Sequence, residues 1–112
     1  MRLYVAGPMT GLPDFNYPAF NAAAEDLRSK GYDVLNPADL ESTNLTGKPQ
    51  EWRWYMRHAI GMVVQADGLA MLPGWENSTG ARLEHTIAMA LKLDIHPAWW
   101  WASYTPITEP TP

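Results

Sequence analysis

The stretch from Asp67 to Ala90, DGLAMLPGWENSTGARLEHTIAMA, gathers the residues whose types and spacing suit chemistry. Two carboxyl groups, Asp67 and Glu84, flank a segment of hydroxyls and glycine, Asn77-Ser78-Thr79-Gly80. Such a segment at the start of a helix suits one phosphate or carboxylate, because the first backbone N–H groups of a helix are unpaired and point outward. Glu84 follows about one turn into that helix, beside the small residues Gly80, Ala81 and Ala88. A carboxylate with space above it can attack a sugar carbon or stabilise an oxocarbenium-like transition state. A second acid then serves the leaving group. Asp67 and Asp14 are the acids available for that second role. The plainer alternative for Glu84 is a helix-surface acid beside Arg82.

Positioning these groups requires a strand, a loop and a helix in that order. Leu69 to Leu72 is a short apolar run, and the Pro73-Gly74-Trp75 turn ends it, bringing Trp75 toward the same ligand. Leu83, Ile87, Ala90 and Leu91 then fall at helical spacing and read as the buried stripe. Upstream, Leu3 to Ala6 reads as a buried strand. It runs into Gly7-Pro8-Met9-Thr10-Gly11, a loop that lets backbone approach a ligand closely. Asn16 or Tyr17 caps the next helix, whose stripe is Phe20, Ala23, Ala24 and Leu27, and Gly31 ends it. Tyr32 to Leu35 is a second strand, and Asp39 to Lys48 reads as a mobile surface loop. Pro49 opens a further helix with Trp52, Met56, Ala59 or Ile60, and Val63 buried. Arg53 and Arg57 lie on another face, where one of them could lean toward an anion. Asp94 to His96 is a last short strand.

This alternation predicts an α/β fold, a flavodoxin- or Rossmann-like three-layer sandwich around a short parallel sheet. Right-handed crossovers put the loops after the first and third strands side by side, if those strands are neighbours. The Gly7–Gly11 and Pro73–Gly80 loops then face one another at the point where strand order reverses. Residues 1–98 form the domain and residues 99–112 a Trp- and Pro-rich tail. Three successive tryptophans, Trp99 to Trp101, cannot all face one core, so a homo-oligomer contact is expected there. The alternative is that they pack back over this small core.

Composition narrows the function. With 46% hydrophobic and 18% charged residues, 112 residues make one folded domain. A net charge of -4 disfavours binding to duplex nucleic acid. No apolar stretch is long enough for a bilayer, the N-terminal run is too short for a signal peptide, and cysteine is absent; a cytoplasmic location is expected. His58, His85 and His96 lack ligand spacing, so no metal is expected. Neither GxxxxGK[ST] nor GxGxxG occurs, and no cofactor is expected.

The segments GPMTGLPDFNYPAF and QADGLAMLPGWENSTGARLEHTIAMA resemble the nucleoside 2-deoxyribosyltransferase superfamily. They resemble more closely the small domain of unknown function DUF4406, frequent in phage and prophage genomes and placed beside that superfamily. The resemblance runs to about Pro97. It implies a flavodoxin-like fold and cleavage of the N-glycosidic bond of a 2-deoxynucleoside or its 5′-monophosphate, by hydrolysis or base transfer. It also implies Glu84 as nucleophile and Asp67 as an active-site acid. Ser78 and Gly80 would lie near the 5′ group, and Gly7 to Thr10 around sugar and base. Phe20 aligns with an active-site tyrosine of the nucleotide hydrolases, so either Tyr17 takes that role or the role is lost. The partner is therefore a small-molecule nucleoside or nucleotide. The alternative is a nucleotide or nucleotide-sugar binding module without turnover. A phosphoribohydrolase ranks third, because Trp75-Glu76-Asn77 interrupts its PGGxGTxxE loop.

Overall fold

The computed structural model describes residues 1–43 and 51–104. Four parallel strands, β1 (Arg2–Ala6), β2 (Asp33–Leu35), β3 (Gly68–Met71) and β4 (Asp94–Pro97), lie in the order β2-β1-β3-β4. Helices α1 (Tyr17–Ser29), α2 (Trp52–Val63), α3 (Thr79–Ala90) and α4 (Ala98–Ser103) cover the sheet. Because side chains alternate along a strand, β1 supplies both layers of core. Leu3 and Val5 pack with Phe20, Ala24 and Leu27 of α1 and with Trp101 of α4. Tyr4 and Ala6 pack with Ala59 and Val63 of α2 and Ala88 of α3. A strand buried on both faces reads as a continuous apolar run, which is why β1 and β3 are recognisable in the sequence.

Strand order reverses between β1 and β3. From β1 the chain crosses to β2 on one side, then returns past β1 to β3 on the other. Leu72 N–H still donates to the Ala6 carbonyl at 2.8 Å, so the two loops part immediately beyond. Gly7 is needed there: a Cβ at Gly7 would sit 2.7 Å from the Leu72 Cβ.

Some local expectations hold and others are corrected. Asn16 precedes α1, but its side chain makes no cap bond and instead donates to the Pro8 carbonyl at 3.0 Å. Gly31 follows the helix with φ +94°, the left-handed step that glycine tolerates. Pro37–Thr43 is a 3-10 segment, not open loop, while the rest of the expected mobile loop and the Pro49 helix start lie outside the described residues. Trp52 stays half-exposed instead of entering the core. The left-handed backbone of Asp14 (φ 52°), Phe15 (φ 52°) and Asn16 (φ 60°) has no glycine to relieve it, at about 1–2 kcal/mol per residue.

The three tryptophans take three environments. Trp101 is buried, donates its ring N–H to the Leu69 carbonyl at 2.7 Å, and meets Tyr32 edge-on at 5.9 Å. Trp100 is half-buried and stacks on His96. Trp99 is 67% exposed. Packing of the domain thus continues past residue 98 through α4, and Trp101 is not available to a partner chain. The Pro- and Thr-rich residues 105–112 lie outside the described residues. No helix among the described residues is long and apolar enough to cross a membrane.

Candidate active site

Helix α3 is capped by Ser78, whose Oγ accepts the Ala81 N–H at 3.2 Å. This cap satisfies one of the four unpaired donors of the first turn. Beyond it the helix turns an unexpected face inward. Its buried residues are Ala81, Glu84 and Ala88, while Leu83 (38% exposed) and Leu91 (49%) face outward and Ile87 is half-buried. Small residues before and after Glu84 let the helix approach the sheet, and the glutamate extends into the space they leave. Gly80 allows the same closeness toward α2, since a methyl group there would lie 3.1 Å from the Met56 sulfur.

Glu84 is 5% exposed. Its Oε2 accepts a hydrogen bond from the hydroxyl of Tyr4, at the middle of β1. Burial is the main reason the carboxyl is pushed up to about 7, because a charge is poorly solvated there; the bond from Tyr4 opposes this by favouring the ionised form. Tyr4 is itself raised well above 10, first by burial and then by the Glu84 charge and hydrogen bond. It therefore remains a hydroxyl donor across the working pH range. The pair places a carboxyl poised near neutrality beside a fixed proton donor, a perturbation of the kind found at functional sites.

Glu84 and Tyr4 line a cleft of about 970 Å³ at the C-terminal ends of β1 and β3. Gly7, Pro8, Met9 and Thr10 line it on one side, and Asn77, Ser78, Thr79 and Gly80 on the other. Tyr17, Phe15 and Phe20 come from the first helix and the segment before it; Trp52, Tyr55 and Met56 come from α2. The volume suits a small organic ligand, and the lining is mostly apolar with a few polar groups. The two glycine-containing loops do meet, and they meet over a buried carboxyl.

Three expected site residues are elsewhere. Asp67 lies at the N-terminal end of β3, where its Oδ2 accepts the Arg2 backbone N–H at 2.8 Å. The four-residue strand, roughly 13 Å long at about 3.3 Å per residue, separates it from the loops at the other end. It holds backbone at the N-terminal end of an interior strand and is not a partner of Glu84. Trp75 stacks on His85 at 4.5 Å and lines a separate groove of about 430 Å³ with Pro97 and Trp99. Gly11 turns the loop with φ +83° and stays outside the cleft. Asp14 and Arg57 do not line the cleft either.

Tyr4, Phe15, Trp52 and Tyr55 were not anticipated as site residues. Tyr4 had a usable signal: a tyrosine inside a buried strand must find a partner for its hydroxyl on its own face of the sheet. Nothing in the sequence identified that partner as Glu84, 80 residues away. The three histidines each lie against a tryptophan ring, His58 on Trp54, His85 on Trp75 and His96 on Trp100. Among the described residues no cluster of three metal-ligating side chains occurs.

Comparison with known proteins places the fold. The family described as Domain of unknown function (DUF4406) matches residues 1–96. Among solved structures, a 2-deoxyribosyltransferase from Leishmania mexicana superposes with a TM-score of 0.64 at 20% identity, over 86% of this chain and 62% of that one. At that identity the likeness establishes a shared fold, and the chain spans less than two thirds of that enzyme's length. No curated protein matches the sequence.

Proposed function

The chain belongs to the DUF4406 family, and from that premise we propose that it cleaves the N-glycosidic bond of a 2-deoxynucleoside or its 5′-monophosphate. The observation that carries this reading is the buried Glu84 carboxyl at the floor of a ligand-sized cleft, held by Tyr4 between two loops that can grip a small molecule. The fold shared with a protein named as a 2-deoxyribosyltransferase supports it.

In this mechanism a Glu84 oxygen attacks the anomeric carbon. The bond to the base breaks with its electrons on the base nitrogen, which takes a proton from water in the open cleft. A covalent glycosyl–enzyme results, with inversion at the sugar carbon. Attack by water on that carbon breaks the ester bond to Glu84, passes the water's proton to the hydroxide left by the first step, and releases 2-deoxyribose or its 5-phosphate, giving a hydrolase. Attack by an N–H nitrogen of a second base, which loses its proton in the same way, gives a transferase. Either route retains configuration overall. Tyr4 orients the carboxyl and stabilises its charge. Gly7 to Thr10 hold the sugar and base, and Ser78 and Gly80 at the start of α3 lie toward the 5′ group. Tyr17 serves as the cleft's tyrosine from the first helix.

The test is product analysis after incubation with a panel of 2-deoxynucleosides and their monophosphates. Free base should appear, with a new nucleoside when a second base is supplied if the protein is a transferase. Tight binding of a panel member with no base released would leave the binding-module reading in its place.

We also propose that the protein self-associates through Trp99, the one member of the tryptophan run left largely in water, beside the groove that holds Trp75. Trp99→Ser should shift the species seen by light scattering toward monomer. A wild-type protein that is monomeric at high concentration would end this idea.

A further inference from the structure

Between Gly11 and α1 the chain does something costly that the core does not require. Asp14, Phe15 and Asn16 are all left-handed, a conformation that side-chain-bearing residues avoid and that is rare in succession. Local bonds hold the segment in place: Phe15 N–H donates to the Leu12 carbonyl at 3.0 Å, Leu12 N–H to the Met9 carbonyl at 3.2 Å, and the Asn16 side chain to the Pro8 carbonyl at 3.0 Å. The outcome is a phenylalanine that is 56% exposed as a residue and yet lines the cleft. Its centroid lies 5.8 Å from that of Tyr17, which lines the same cleft. A scattered exposed aromatic is ordinary on a protein surface. Strained backbone that turns an aromatic away from the core and into a ligand cleft is not, and strain of this kind collects at ligand clamps.

We propose that Phe15 is a specificity-determining platform on which the planar heterocyclic base of the substrate stacks, while the sugar reaches inward to Glu84. The inference rests on the glycosidase reading for the sugar's orientation but not for the stacking itself. A flat aromatic ligand covers the exposed face of the ring and removes it from water, so part of the hydrophobic gain withheld during folding is realised on binding. Every nucleobase has a π-face, so stacking on Phe15 would set a preference for large, flat bases rather than for one hydrogen-bonding pattern.

The experiment measures binding without turnover. Purine and pyrimidine 2-deoxynucleosides are titrated by calorimetry into the Glu84→Gln protein, with Phe15 intact or changed to Leu, Tyr or Gly. Phe15→Leu should weaken purine 2-deoxynucleosides by about 5- to 100-fold, the range of aromatic-base stacking, and pyrimidines less. Phe15→Tyr should restore binding. Phe15→Gly should weaken binding without lowering the melting temperature, because glycine accepts the left-handed backbone; a ring that served only packing would lower it. In the active enzyme Phe15→Leu should raise KM and leave kcat nearly unchanged. Affinity and KM unaffected by Phe15→Leu would overturn the inference and leave the glycosidase reading standing. Phe15-dependent binding with no base release from wild type would overturn the glycosidase reading and keep the stacking. Absence of binding by every nucleoside would overturn both.

Discussion

Glu84→Gln should abolish base release, by about 10³-fold or more, and should at the same time make the protein more stable above neutral pH. The first effect follows from removing the nucleophile. The second follows from linkage. In the unfolded chain the carboxyl titrates near 4.5, and in the fold near 7. The folded state therefore binds the proton more tightly between those values. Stability that is fully present below 4.5 declines as pH rises and is lost through about 7, by about 3 kcal/mol in total. A glutamine side chain carries no charge to bury, and its carbonyl can still accept from Tyr4. Denaturant midpoints of the two proteins should nearly coincide at pH 4 and diverge in favour of the Glu84→Gln variant at pH 8. A stability difference independent of pH would show that burial does not raise this carboxyl. Near wild-type turnover would remove Glu84 from the chemistry. The same titration fixes the activity profile: attack needs the ionised form, so kcat/KM should rise with pH through about 7.

Tyr4→Phe should act through that profile. The hydroxyl's bond to Glu84 is the influence that lowers the carboxyl against the effect of burial. A hydrogen bond to a charged group contributes about 1.5–3 kcal/mol, which corresponds to about one to two pH units. Without it the midpoint of the pH–rate curve should move up by that amount. Activity at pH 6 should then fall about 10- to 100-fold while activity at pH 9 falls much less. The loss is to be read as a full pH profile of kcat/KM. A uniform loss at all pH values would mean that Tyr4 only shapes the cleft, and an unmoved profile would mean that its hydroxyl does not govern the carboxyl.

The amino-acid order alone determined a large part of this molecule. Gly31 after the stripe Phe20, Ala24 and Leu27 bounded α1, and the apolar runs Leu3–Ala6 and Leu69–Leu72 marked strands covered on both faces. Their alternation with helices implied parallel pairing, and it implied facing glycine-containing loops on the condition that β1 and β3 are neighbours, which the strand order meets. All of these follow from signals a few residues long, because backbone periodicity and turn chemistry are local.

The tertiary structure decided what depends on direction and distance. Asp67 and Glu84 flank the same loop in sequence, but a strand has two ends, and Asp67 belongs to the one facing away from the cleft. In α3 the leucines at helical spacing suggested the buried face, yet helix position depends on how closely backbone can approach the sheet. Ala81 and Ala88 allow a closer approach than Leu83 and Leu91 would, so the small face turned inward and took Glu84 with it. Trp101 rather than Trp99 entered the core, where its ring N–H finds the Leu69 carbonyl, a partner on a strand 32 residues away that the local sequence does not name. Glu84 could be buried because one residue 80 positions earlier in the chain, Tyr4, presents a hydroxyl to it; without such a partner, the cost of desolvating a carboxylate would have kept that face of the helix in water.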